Sequence, residues 1–305
     1  MKKTGFIYDD VFLTHEMPPY HPESTMRLEA ITEKLKKSDI WNSLIQIPPI
    51  KANISDIEAV HGKAYIARTQ KTKEAYLDPD TFMSKDTYNA ALYAAGAVIT
   101  AIDNCKSGTI ERAFCAVRPP GHHAEKDRGM GFCIFNNAAV GARYAQSIGY
   151  RKVFIVDFDV HHGNGTQHIF YDDDSVYYFS SHQFPHYPGT GEGSEKGSGL
   201  GRGFTFNVPL SQGSGDKEML NTYGTILPPL VKDYAPDIMI VSAGYDIHQK
   251  DPLAGLNVSD KGVASIVKNI INASGDIPIV FTLEGGYSLT ALADSVEITI
   301  RELLA

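Results

Sequence analysis

VFIVDFDVHHGNG, residues 153–165, is the stretch that decides the fold. Its first four residues form a continuous apolar run rich in β-branched side chains, too short for a helix and without the alternation of a half-exposed strand. Such a run reads as a parallel strand buried on both faces. Residues 114–117, 238–241 and 277–282 have the same form, each bounded by Pro, Gly or charge. Between them lie amphipathic stretches of helical length, 86–104, 137–148, 216–233, 260–273 and 289–304, several of which open on Asp or Asn at an expected N-cap. Alternating strands and helices predict an α/β fold, a parallel sheet with helices on both sides. At ~100–200 residues per domain the chain could hold two. The pattern continues without a break in composition, so one domain over 1–305 is expected.

Beyond each apolar run the polar groups collect. Residues 114–117 are followed by Arg118-Pro-Pro-Gly-His122-His123, and 153–156 by Asp157, Asp159, His161, His162 and Asn164. Residues 238–241 lead into Ser242-Ala-Gly-Tyr245-Asp246, and 277–282 into Leu283-Glu284-Gly-Gly-Tyr287. Ligands of open parallel sheets bind outside the carboxyl ends of the strands, so separate strands deliver Asp, His and Tyr to one edge.

Asp159 and His161, spaced i, i+2 in extended chain, point the same way. Alone, such a pair reads as a hydrogen-bonded turn. With Asp246 arriving from another strand it becomes an Asp/His/Asp ligand set. Three protein ligands leave a position open for water or substrate, the pattern of a catalytic metal site. Mixed oxygen and nitrogen donors suit Zn²⁺, with Fe²⁺ or Co²⁺ as alternatives. The tandem His122-His123 reads as a metal pair, an acid/base pair or an accident of a surface loop. Adjacent side chains in extended backbone point apart, which favours the acid/base pair, one ring activating a water and the other holding or donating a proton. Asp157 and Asn164 are available to orient the two rings. Tyr287, after two glycines, reads either as a hydrogen-bond donor to a developing oxyanion or as a packed aromatic in a turn.

Composition narrows the function classes. With 43% hydrophobic and 21% charged residues, a disordered or fibrous chain is excluded. The 28 Lys+Arg against 36 Asp+Glu leave a formal charge of −8 and a pI near 5.7, which argues against nucleic acid and anionic membrane as partners. Cys105, Cys115 and Cys133 form no C-x-x-C pair and fit a reducing compartment. The apolar residues before Asp9-Asp10 are too few for a secretory signal, and the uncharged stretch between Asp86 and Asp103 falls short of the ~20 residues of a spanning helix. A soluble cytoplasmic protein is expected, and the oligomeric state is open. The Gly-rich segment 188–203 lacks a phosphate-loop pattern and reads as a long surface loop at the rim of a site.

Taken in order, these motifs resemble the zinc-dependent histone deacetylase family, which includes the acetylpolyamine amidohydrolases. The resemblance covers nearly the whole chain: His21-Pro22-Glu23 with Arg27-Leu28, Ala59-Val60-His61 with Tyr65, RPPGHHAEKDRGMGFCIFNN (118–137), DFDVHHGNGTQ (157–167), PGTGEG (188–193), SAGYD (242–246), DPL (251–253) and LEGGY (283–287). RPPGHHAE and HHGNGTQ are most similar to the class II branch and its bacterial or archaeal relatives. The resemblance implies a three-layer α/β/α arginase–deacetylase fold with a mainly parallel sheet of about eight strands. It implies Zn²⁺ held by Asp159, His161 and Asp246, and His122 and His123 as the general acid/base pair with Asp157 behind the first. Behind the second stands Asn164, where some branches carry an aspartate, so that ring is expected to be oriented without a second negative charge. Tyr287 would polarise the acetyl carbonyl. Gly131, Phe132 and Tyr187 match the tunnel that holds an acyl-lysine stem, and Asp80 and Leu253 match its rim. K⁺ is implied beside the zinc through Asp157, Asp159, the backbone of His161, Ser180 and Ser181, with a second K⁺ site near Phe170 and Val176.

The substrate so implied is an acetylated lysine in a peptide or protein. The rival is an acetylated polyamine, but one polyamine branch has an acid where Leu253 stands here. An arginase-like two-metal site needs a further acid at the position of His248. A non-catalytic acyl-lysine-binding module is disfavoured because every ligand and Tyr287 is present.

Overall fold

Four buried runs cannot make a sheet alone, and the computed structural model, which describes residues 1–305, supplies their neighbours. The strands are β1 (Thr4–Ile7), β2 (Ile45–Ile47), β3 (Ala75–Tyr76), β4 (Phe82–Met83), β5 (Arg112–Cys115), β6 (Val153–Asp157), β7 (Val176–Gln183), β8 (Thr205–Leu210), β9 (Ile238–Ala243) and β10 (Ile279–Leu283). All but β3 and β4, which pair as a small antiparallel ribbon, lie in one sheet of order β2-β1-β5-β10-β9-β6-β7-β8. Every pair within that sheet is parallel. The strands β6, β7, β9 and β10 are buried at every residue, as a sheet covered on both faces requires. Pro209, which cannot donate to a ladder, lies in the edge strand β8.

The helices are α1 (Met26–Lys37), α2 (Ile54–Glu58), α3 (Lys63–Lys71), α4 (Thr87–Lys106), α5 (Asn137–Ser147), α6 (Asn164–Ile169), α7 (Asp216–Asn221), α8 (Leu227–Tyr234), α9 (Asp260–Ser274) and α10 (Leu289–Leu304). In the three-layer arrangement α4 packs with α5, whereas α1 packs on α10 and α10 on α9. One contiguous core cluster of 78 buried residues extends from Phe6 to Leu304. No helix is long and apolar enough to cross a membrane.

One expectation is refined and another corrected. The stretch 216–233 is helical without a break, but a π-helical turn at Thr222–Ile226 joins α7 to α8, which carries Pro near its start. Proline has no N–H to donate and clashes with a preceding turn, so the ladder is re-laid at that point. The N-caps also sit earlier than Asn137, Asp216 and Asp260. Asn136 accepts from Ala139 N–H and Ser259 from Gly262 N–H, while Asp216 turns outward to accept from both N–H and hydroxyl of Ser259.

Candidate active site

The ends of β5, β10, β9 and β6 lie side by side at the middle of the sheet, and the site is built on them. Past Asp157 the chain leaves the ladder and bends over residues 159–161. Phe158 turns into the core against the edge of Tyr245, ring centroids 5.6 Å apart. Asp159 therefore faces the opposite way. Its carboxylate accepts from His161 N–H at 2.9 Å, while Asp246 Oδ1, from the end of β9, accepts from Val160 N–H at 3.0 Å. One ligand atom each from Asp159, His161 and Asp246 falls within a 4.8 Å cluster.

This group has the chemistry of a cation site. Asp246 is 1% exposed, and its Oδ2 finds no hydrogen-bond donor although His161 Nδ1 is 3.2 Å away. An unpaired buried carboxylate oxygen is costly, and beside a second carboxylate and an imidazole it is what a divalent ion would satisfy. Burial, with the charge of Asp159, pushes the Asp246 carboxyl up. Burial pulls His161 the other way, but the two carboxylates outweigh it and hold the ring up to about 10.

His122 and His123 lie above this cluster with ring centroids 4.0 Å apart. Each ring meets a different oxygen through Nδ1: Asp157 Oδ2 at 3.1 Å for His122, and Asn164 Oδ1 at 2.7 Å for His123. Their environments drive them apart. Burial lowers His122, yet the charges of Asp159 and Asp157 override it and raise the ring to about 10. Burial and the neighbouring imidazoles push His123 well below its ordinary value. The two rings are thus pushed in opposite directions, His122 up and His123 down. Divergent titration of adjacent groups is a mark of acid/base assignment.

A cavity of about 260 Å³ opens over these rings, lined by Asp80, Gly131, Phe132, Tyr187, Leu253 and Tyr287 together with His122, His123 and His161. Gly131 takes φ +55°, and a Cβ there would lie 2.4 Å from His123 Cδ2, so only glycine lets the wall run this close to the ring. Phe132 meets Tyr287 edge-on at 5.9 Å, and Tyr187 meets His123 edge-on at 5.2 Å. Tyr187 and Leu253, each 38% exposed, stand at the open end. Tyr287 is fixed from its backbone, its N–H donating to Asp251 Oδ2 at 2.7 Å, and from its ring, with the Arg27 guanidinium 5.1 Å from the centroid.

The expected walls, the histidine pair and His161 therefore line one cavity, and Asp159 and Asp246 cluster with His161 at its foot. Asp157 and Ser180 are register partners on β6 and β7, and the hydroxyls of Ser180 and Ser181 are engaged with His182 and Tyr223. Near Phe170 the Arg143 guanidinium lies 4.7 Å from the ring centroid. His248 is turned away from the cluster to Asp260, 3.1 Å distant, which leaves no second metal-bridging group at that position. The segment 188–203 is a loop with one short 3₁₀ turn, and its Gly191 carbonyl accepts from the ring of His182.

Several contributors carried no assigned role in the sequence. Glu284 Oε2 accepts from the backbone N–H of Gly121 and His122, at 2.7 and 3.1 Å, and so sets the histidine loop against the end of β10. Burial pushes its carboxyl up to about 7. Its signal was available, a charge directly after an apolar run, as at Asp157. Glu23 joins Arg118 and Arg27 in a wholly buried ion network, and Arg27 donates to the carbonyls of Gly286 and Glu284. His186, stacked on His161 at 5.2 Å, lines the cavity too.

Comparison with known proteins decides what such a site belongs to. The pattern of the histone deacetylase domain matches residues 21–303. This chain belongs to the histone deacetylase family. A probable deacetylase of Archaeoglobus fulgidus is 37% identical over 293 residues, covering 94% of this chain and 82% of its own length. Histone deacetylase 10, chloroplastic, of Oryza sativa is 38% identical over 308 residues, covering 93% and 70%. The crystal structure of the HDA15 HD domain superposes with a TM-score of 0.95 at 35% identity, covering 99% of this chain and 91% of that one. The eight-stranded α/β architecture is accordingly the arginase–deacetylase fold, and membership of the deacetylase family supports hydrolytic removal of acyl groups.

Proposed function

We propose that this chain is a zinc-dependent deacetylase that hydrolyses the ε-amide of acetyl-lysine in peptides or proteins, acting as one domain in the cytoplasm. The observation that carries the reading is the conjunction of the Asp159–His161–Asp246 cluster with two adjacent imidazoles, one backed by the Asp157 carboxylate and the other by the Asn164 amide, at the foot of an aromatic-walled cavity.

Asp159, His161 and Asp246 would hold the divalent ion, which supplies Lewis acidity to an amide carbonyl and lowers the pKa of a water molecule. The neutral His123, its Nδ1 turned to Asn164, has Nε2 free to take a proton from the attacking water and later to deliver it to the departing amine. His122, its Nδ1 3.1 Å from Asp157 Oδ2, would offset negative charge as the tetrahedral centre forms. Burial pushes the Tyr287 phenol well up, so it remains a proton-bearing donor at neutral pH and can stabilise the same oxyanion. Phe132 and Tyr187 flank a methylene stem, which loses water against both rings. Asp80 and Leu253 would meet the substrate at the rim. Asp157, Asp159, the His161 backbone, Ser180 and Ser181 would hold K⁺, with the further site by Phe170 and Val176. Leu253 in place of an acid puts acetyl-lysine before acetylpolyamine.

The test is acetate release by zinc- or cobalt-loaded protein, with kcat/KM compared for an acetyl-lysine peptide and an acetylpolyamine. The peptide is expected to be preferred. A preference of about tenfold (~1.4 kcal/mol) for the polyamine reverses the substrate assignment, and binding of peptides without any acetate release refutes the enzyme.

A further inference from the structure

The amide that orients His123 is itself held from behind. Asn164 Nδ2 donates to Glu125 Oε1 at 2.5 Å, and the same oxygen lies 2.8 Å from His168 Nδ1. His123, Asn164, Glu125 and His168 thus form a line of contacts from the buried base to the surface, where the His168 side chain is 44% exposed. Glu125 is fixed at both ends of its own backbone, its N–H donating to the Arg128 carbonyl and its carbonyl meeting His61 Nδ1 at 2.9 Å.

A side-chain amide has two nearly isosteric ends, and only its partners decide which way it faces. A carboxylate accepts and cannot donate. Rotating Asn164 by half a turn would set its oxygen against Glu125 Oε1 and its NH₂ against the Nδ1–H of His123, two repulsive contacts in place of two bonds. The pairing that survives requires the His123 proton on Nδ1 and its lone pair on Nε2. A charged acceptor behind Nδ2 also polarises the amide and strengthens what Oδ1 offers the ring. The negative charge absent at position 164 is thereby supplied one residue further out.

We propose that Glu125 is a positioning residue for His123, locking it through Asn164 in the Nδ1–H tautomer, with His168 as the surface partner of the pair. The inference rests on the deacetylase reading for its effect on rate but not for its effect on the ring.

The test therefore reads both. In protein labelled with ¹⁵N-histidine, long-range ¹H–¹⁵N correlation reports each ring's tautomer, and the His123 signals are those lost in His123→Gln. Wild type is expected to show a single Nδ1–H form, Glu125→Ala a mixture of tautomers, and Glu125→Asp, which retains an acceptor-only carboxylate, the wild-type form. With zinc loaded, Glu125→Ala should lower kcat about tenfold or more at nearly constant KM, Glu125→Asp should recover most of it, and the loss should vanish on an Asn164→Ala background. Glu125→Ser replaces the alanine variant should that one fail to fold. A His123 tautomer unchanged in Glu125→Ala, or a kcat loss that persists undiminished without Asn164, overturns the inference. A wild type that releases no acetate sinks the deacetylase reading alone, since the ring signals still decide this one.

Discussion

Gly285 donates its backbone N–H to Asp159 Oδ2 at 2.8 Å. Through that bond the turn leading to Tyr287 is anchored on a carboxylate of the candidate metal cluster, so two parts of the proposed chemistry share one reference point. A Cβ at 285 would lie 2.1 Å from Asp246 Oδ2 and 2.7 Å from Asp159 Oδ2.

Gly285→Ala should therefore push both carboxylates out of place. Zinc affinity is expected to fall about 10–100-fold, the range for disturbed support of metal ligands. Competition against a chromophoric chelator measures it, and an unchanged dissociation constant would show that the cluster is not held by this contact.

Tyr287→Phe removes a hydroxyl whose proposed partner exists only as charge develops on the substrate oxygen. Loss of one such donor costs about 10²–10³ in kcat. Metal content and melting temperature should stay at wild-type values. A variant within threefold of wild type would reassign Tyr287 to packing.

Loading the metal should release protons. Without an ion, His161 is held up to about 10 and the Asp246 carboxyl is raised, so near neutral pH the cluster carries protons that ligation expels. Both groups have pKa values raised by the site, and affinity is expected to climb as pH rises toward that of His161 and then level off. Calorimetry in two buffers of different ionisation enthalpy counts the protons, about one or more per ion at pH 7. A heat independent of buffer would contradict the assignment. Asp246→Ala should lose the metal, whereas His123→Ala should retain it and lose activity.

Glu23 makes an acid-sensitive keystone. Burial alone would raise its carboxyl, but Arg118 and His15 hold it well below its usual range. Because the folded value is depressed, its contribution is fully present above the unfolded carboxyl pKa of ~4.3 and is lost as pH falls through the folded value. Glu23→Ala leaves two buried guanidinium groups uncompensated, a cost of about 3–5 kcal/mol. The gap between wild type and Glu23→Gln in urea unfolding should be widest near pH 7 and should narrow below pH ~4. A gap constant down to pH 3 would mean that Glu23 acts by shape and not by charge.

How much of this the sequence discloses depends on whether polarity and position agree. The central strands β5, β6, β9 and β10 were legible because both their faces are buried and their apolar runs stop where chemistry starts. The strand β7 was not, since it spells Ser180-Ser181-His182-Gln183 while wholly buried; those polar groups are satisfied internally, Ser180 with His182 and Ser181 with Tyr223. The edge strand β2 escaped because it is only three residues long and exposed, and the edge strand β8 because it is partly exposed and interrupted by Asn207 and Pro209. Within the site, Asp159, His161 and Asp246 could be grouped from strand ends alone. The tie between Glu23 and Arg118 spans 95 residues, and the carboxylate behind Asn164 comes from another loop. No local spacing announces either.

The place of β10 carries a consequence for how the polypeptide is made. It is the last strand of this sheet to leave the ribosome, yet it slots between β5 and β9. Until it emerges, the nascent chain holds two unjoined flaps, β2-β1-β5 and β9-β6-β7-β8, each showing a raw edge that invites pairing with a stranger. The Asp159–His161–Asp246 group belongs to the second flap and the His122–His123 pair follows β5 in the first, so pair and cluster meet only when that gap is zipped. A chain cut short before β10 lacks the assembled site and is sticky, the kind of client that chaperones exist to shelter.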